Sequence, residues 1–99
     1  MAYWLYESDE YMRGDYLYTP GDTYKANSLN GARAKAAKMS KKATYEIAIA
    51  KAPSEYEAWR SKNVSGFVIY DDAKKKAVWC PKGSRNEYVI RSDGSIIKG

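Results

Sequence analysis

Cys80 is the one cysteine of the chain, set in the run Val78-Trp79-Cys80-Pro81-Lys82. A neighbouring cation could lower its pKa and make it a nucleophile. A free cysteine more often serves as a small buried hydrophobe, and that reading is the stronger one here. Asp71-Asp72 is an acidic pair that could hold a divalent cation, but adjacent residues rarely converge on one ion, and a turn between strands explains them better. The chain has no histidine. That removes the commonest general base, the commonest metal ligand and the usual partner of a serine or cysteine nucleophile. With one cysteine and no histidine, a zinc site of ordinary type is excluded. Gly83 and Gly94 stand alone and Gly31 falls inside a helical stretch, so no phosphate-cradling glycine pattern opens a helix. Carboxylate pairs for glycoside hydrolysis depend on spatial separation, and nothing singles one out. The expectation is a non-enzymatic protein that needs no metal and no cofactor.

Binding is the remaining chemistry, and three surfaces compete for it. The first is basic: Lys35, Lys38, Lys41 and Lys42 in one stretch, with Lys51 and Lys62, extended by Lys74-Lys75-Lys76 and by Lys82 and Arg85. A contiguous positive surface with nearby aromatics suits nucleic-acid backbones. Most lysines opposite an apolar stripe are simply solvated, and arginine, the residue for bidentate base readout, is scarce here. Sequence-specific DNA reading is therefore not expected.

The second is the acidic, tyrosine-rich segment 3–24, where Trp4, Tyr6, Tyr11 and Tyr16 interleave with Glu7, Asp9 and Glu10. Aromatic anchors ringed by charge can meet a basic groove on a partner, including one that normally holds nucleic acid. The same segment can equally dock on the chain's own basic part. The third is Tyr56, Trp59 and Arg60. These residue types are common in interface hot spots, although burial beneath a short helix is the more frequent fate of such aromatics.

The elements that position these groups read as follows. Residues 2–7 alternate around Trp4 as a strand. Asp15-Tyr16-Leu17-Tyr18 is either a second short strand or part of an irregular acidic loop, and Thr19-Pro20-Gly21-Asp22 is a turn. A helix runs from Leu29 to Lys42, capped by Asn27 or Ser28. Its apolar stripe is Leu29, Ala32, Ala36, Met39 and Ala43, narrow and mostly alanine, which suits close packing on a sheet. Thr44–Ala50 is a strand. Ser54 and Glu57 have capping-box spacing for a short helix at residues 55–61, with Tyr56 and Trp59 on its inner face. Gly66–Tyr70, Ala77–Cys80 and Glu87–Arg91 form a meander, and Ser92-Asp93-Gly94-Ser95 signals a tight primed hairpin turn into Ile96-Ile97. The expected class is α+β: a mostly antiparallel sheet of five to six strands, one main helix on one face, and one short helix.

Ninety-nine residues suit a single domain at 1–99, divided into the acidic strand or hairpin 1–24, the helix 28–42 and the strand, short helix and meander 44–99. Segment 1–24 holds five acids against one base, a net of −4, while the remainder carries +9 of the overall +5. Ten tyrosines and three tryptophans accompany a single phenylalanine, so most aromatic area carries a polar handle suited to half-buried faces and contacts. No apolar run approaches the roughly 20 residues that span a bilayer. Met1–Glu7 lacks the positive start of a signal peptide, and a lone thiol fits a reducing compartment; the cytoplasm is the expected location.

Two stretches resemble small orphan proteins encoded by bacteriophages. One is Lys25-Ala26-Asn27-Ser28-Leu29-Asn30-Gly31-Ala32-Arg33-Ala34-Lys35-Ala36-Ala37 running into Thr44-Tyr45-Glu46-Ile47. The other is Gly66-Phe67-Val68-Ile69-Tyr70 leading to Val78-Trp79. The resemblance covers about half of the chain and defines no family, so it assigns no binding or catalytic residue. It implies an accessory role in the host cytoplasm: a stoichiometric inhibitor or modulator of a host protein or ribonucleoprotein complex, as anti-CRISPR and other anti-defence proteins are. The alternative expectation is a non-specific nucleic-acid-binding domain that uses Lys35, Lys38, Lys41, Lys42, Lys82 and Arg85.

Overall fold

The structure, a computed structural model, describes residues 1–8, 23–60 and 64–98. Strand β1 (Ala2–Ser8) sends Tyr3 and Leu5 to one side of the sheet and Trp4 and Tyr6 to the other. Both sides are apolar because a helix covers each. Edge strand β2 (Tyr24–Ala26) pairs antiparallel with β1, placing Tyr3 opposite Ala26 and Leu5 opposite Tyr24. The segments read as a second strand at 15–18 and a turn at 19–22 lie outside the described residues.

Helix α1 (Leu29–Ser40) begins where expected. Ser28 is extended, and its Oγ accepts the Gly31 N–H at 3.0 Å, satisfying one of the free donors of the first turn. The helix ends two residues before the expected Lys42. Its last turn tightens, with the Lys42 and Ala43 N–H groups reaching back three residues to Met39 and Ser40. Ala32 and Ala36 are fully buried, and Leu29, Met39 and Ala43 pack around them, so the expected stripe is the face that meets the sheet.

Strand β3 (Glu46–Ala52) follows, then α2 (Glu55–Arg60), β4 (Val64–Asp71), β5 (Lys76–Pro81), β6 (Tyr88–Ile90) and β7 (Ile96–Lys98). The seven strands among the described residues form one antiparallel sheet in the order β2-β1-β3-β4-β5-β6-β7. The protein is α+β as expected, with one strand more than the five to six anticipated. The register between β3 and β4 slips at Ile49 and Ala50, a bulge that leaves Ser65 without an opposite residue.

Two cores result. On the α1 side Leu5, Ile47, Ile49, Val68, Trp79 and Ile90 close against Ala32 and Ala36. On the other side Tyr6, Ala48, Ala50, Ala52 and Val64 close against Ala58 of α2. The alanines of β3 let that short helix lie close to the sheet. Ser54 Oγ accepts the Glu57 N–H at 3.3 Å and caps it, as its spacing indicates. Tyr56, expected on the inner face, is 44% exposed, and Ala58 occupies the buried position instead. The side chains of Trp59 and Arg60 lie outside the described part of the structure.

Candidate anion-binding groove

The second half of α1 and the ends of β4, β5 and β6 enclose a groove of about 390 Å³. Small side chains make room for it: Ala34 and Ala37 on the helix and Ala77 on β5. Its rim carries Lys38 and Lys41 from α1, Lys75 and Lys76 from the β4–β5 turn, and Arg91 from the β6–β7 turn. Among the described residues, five cations line the groove and no carboxylate does. Like charges held together around a concavity lower the cost of bringing in an anion, and low-dielectric walls focus their field.

Nearby carboxylates build the loops that present these cations. In the β4–β5 turn, Asp71 Oδ1 accepts the N–H groups of Ala73 at 3.0 Å and Lys74 at 3.1 Å. Lys75 takes a left-handed conformation, φ +52°, which turns the chain into β5. In the β6–β7 turn, Asp93 Oδ1 accepts from the Ser95 N–H at 2.9 Å and the Ser95 hydroxyl at 2.6 Å. The serine hydroxyl is the main reason that the Asp93 carboxyl is held below its ordinary value, the serine N–H adds to it, and Arg91 contributes less.

This second turn is not the primed two-residue type that Asp-Gly suggested. The Gly94 N–H bonds the Arg91 carbonyl at 2.9 Å, the Arg91 N–H bonds the Ser95 carbonyl at 2.8 Å, and only Gly94 has a positive φ, +87°. That is a three-residue loop with glycine at its left-handed position. The side chain of Arg33 anchors it. Its Nε donates to the Gly94 carbonyl at 2.9 Å, Nη2 donates to Asn30 Oδ1, and the guanidinium lies 5.5 Å from the Trp79 ring centroid. Burial, the larger influence, draws Arg33 below the ordinary arginine value, and Tyr3 partly opposes it.

A second concavity of about 310 Å³ shares Lys41 and Tyr70 with the first, so the two meet there. It has a different lining: Tyr45, Ile69, Thr44, Glu46 and Asp72.

The expected basic residues divide. Lys38 and Lys41 reach the groove. Lys35 faces the other way, its Nζ 5.0 Å from the Tyr24 ring centroid. Lys42 is exposed but lines neither concavity. Lys82 and Arg85 follow β5, at the opposite end of that strand from Lys76, about 17 Å along it. The six-residue nucleic-acid face is therefore not one surface. Lys75 and Lys76 join it as the sequence suggested, whereas Arg91 had been read only as a strand residue.

The acidic aromatic surface also changes. Tyr6 is 5% exposed, and its hydroxyl donates to the Ala58 carbonyl at 3.5 Å, so it ties α2 to the sheet and is not available to a partner. Trp4 is half-buried, its indole N–H donated to the Ala52 carbonyl at 3.0 Å. Lysines of the chain itself sit over Trp4 and Tyr3: Lys25 at 5.8 Å and Lys51 at 5.7 Å from the ring centroids. For these aromatics, docking on the chain's own basic part is what the structure holds. Glu7 is exposed. Asp9, Glu10, Tyr11 and Tyr16 lie outside the described residues.

Cys80 is half-buried on β5, opposite Phe67. Burial raises its pKa most, and Glu87 and Glu46 raise it further, so its surroundings oppose thiolate formation. The surroundings thus favour the structural reading over the activated thiol, with Cys80 half-buried rather than fully enclosed. Among the described residues no three metal-ligating side chains cluster, and no helix is long and apolar enough to cross a membrane. No family model matches the chain, and neither does any curated protein or solved structure.

Proposed function

We propose that this chain is a small binding protein whose working surface is the groove beside α1, and that it grips the phosphate backbone of a nucleic acid. One observation carries the reading: Lys38, Lys41, Lys75, Lys76 and Arg91 come from three separate parts of the sequence and converge on one concavity that, among the described residues, has no carboxylate in its lining. Four of the five are lysines, point charges that neutralise phosphates without selecting a base. The affinity is accordingly electrostatic and non-specific in sequence.

The test is a salt titration of binding to fluorescent oligonucleotides. Displacement of counterions by five cations gives a log–log slope of about −3.5 on a single strand and about −4.5 on a duplex. Lack of binding at low salt, or a flat salt dependence, overturns the reading.

A second reading keeps the phage-like role, in which the chain inhibits or modulates a host protein or ribonucleoprotein complex in the host cytoplasm. Exposure of Ile69 (45%) and Ile97 (39%), at the two ends of the cross-strand row Ile69–Val78–Val89–Ile97, favours it. Exposed aliphatics beside a charged groove suit a macromolecular partner. Under this reading a purified host protein or complex binds the full chain with no oligonucleotide present, and Ile69→Asp with Ile97→Asp releases it.

A further inference from the structure

The two concavities differ in chemistry, and that difference narrows the occupant. Resting on the nucleic-acid reading above, we infer that the site takes a single strand, with its phosphates in the larger groove and an unpaired base at the Tyr45–Tyr70 end. Among the described residues, the larger groove holds five cations and no acid. The smaller one holds a single cation, Lys41, which it shares, together with two tyrosines and the carboxylates of Glu46 and Asp72. A phosphate is repelled there. A nucleobase is not: its amino and imino N–H groups donate to carboxylates, and its face stacks on a tyrosine ring.

Exposure supports this placement. Tyr45 is 42% exposed and Ile69 45% exposed, leaving flat and apolar surface open at a concave site. Ser40 contributes little to recognition, since its hydroxyl donates to the Ala37 carbonyl at 2.8 Å. Thr44 adds a hydroxyl to this end for the sugar or base. Tyr70 and Lys41 line both concavities, so a strand passing from one to the other crosses them. Within a duplex the base faces are stacked and their pairing edges occupied, so only a single strand can use both halves.

The experiment measures fluorescence anisotropy of the full chain with a labelled single-stranded oligonucleotide, in DNA and RNA form, and with the matching duplex. Inorganic polyphosphate serves as competitor. Tyr70→Leu and Tyr45→Ala are compared with the unaltered chain, each checked for folding by circular dichroism. Loss of one stacked base weakens the single strand about tenfold in either variant, and Tyr45→Ala, which lines only the smaller concavity, leaves the affinity for polyphosphate unchanged. Tyr45 is exposed, so its variant answers the question if Tyr70→Leu fails to fold. If polyphosphate and duplex bind as tightly as the single strand and both variants bind like the parent, the strand inference falls while anion binding stands. If neither polyphosphate nor any oligonucleotide binds, both readings fall together.

Discussion

Arg33 Nε donates to the Gly94 carbonyl at 2.9 Å, joining residues 61 apart in the chain. The bond ties the start of α1 to the β6–β7 turn, and that turn sets the position of Arg91. Gly94 lies so close beneath the helix that a Cβ there would fall 1.7 Å from the Asn30 carbonyl oxygen, in a backbone conformation of φ +87° that side chains rarely adopt. Gly94→Ala therefore strains the backbone and forces the turn off the helix, destabilising the fold by about 3 kcal/mol or more. Urea denaturation checks this, and a loss under about 1 kcal/mol would show that the turn can move away cheaply.

Gly66 faces a parallel constraint. A Cβ there would lie 2.6 Å from the Trp79 ring and 2.7 Å from the Cys80 carbonyl oxygen. Gly66→Ala displaces the Trp79 indole, which lies between this strand and Arg33. The expected cost is about 1–3 kcal/mol, accompanied by a change in tryptophan near-ultraviolet circular dichroism. An unchanged spectrum would show that the backbone gives way in place of the ring.

The Asp93–Ser95 pair makes the β6–β7 turn sensitive to acid. Its folded pKa is depressed, so its contribution to stability is complete above the ordinary carboxylate range and is lost as pH falls through the folded value. Ser95→Ala removes the largest cause of the shift. The parent is expected to be the more stable chain at neutral pH, with the difference shrinking in strong acid, and carboxyl NMR is expected to show Asp93 titrating closer to its ordinary value in the variant. A stability difference that stays constant through the acid range would remove the carboxylate from the account.

Cys80 has the opposite sign. Burial first, then Glu87 and Glu46, push its pKa up, so the thiol stays protonated at neutral pH. Alkylation by iodoacetamide is expected to be several-fold slower than for the urea-unfolded chain and to rise only above the usual thiol range. Glu87→Gln speeds it by removing one of the two carboxylates. A fast reaction at neutral pH would restore the nucleophile reading.

Periodicity made the helical face legible: Ala32 and Ala36 are buried, Leu29 and Met39 pack beside them, and Ala43 joins the same core just past the end of α1. The three residues of β2 are too few to show alternation, and their pairing with β1 is a tertiary event. Alternation marked residues 2–7 as a strand, but nothing local shows that Ala58 of α2 will cover the face that carries Trp4 and Tyr6, so Tyr6 was misread as surface. The Asp-Gly pair marked a turn without fixing its type, because the Asp93 carboxylate caps Ser95 and Gly94 alone goes left-handed. The groove was half legible. Lys38 and Lys41 share a helix face and Lys75-Lys76 announce a basic turn, whereas Arg91 reaches them only through the sheet order and the Arg33–Gly94 bond.

That division of the basic residues gives a direct contrast between two sets of charge reversals. Lys38→Glu with Arg91→Glu places two carboxylates on opposite walls of the groove, while Lys82→Glu with Arg85→Glu makes the same change in net charge at the far end of β5. If long-range attraction to a basic protein were the whole cause of binding, the two double variants would weaken it equally. Binding in the groove instead makes the first pair lose at least about tenfold in affinity at low salt and lowers the salt slope by about two, while the second loses little and keeps its slope. All four side chains project from turns or from the exposed helix surface, so neither double variant is expected to shift the thermal midpoint by more than a few degrees. Equal losses in the two would leave net charge as the cause and withdraw the groove as the site.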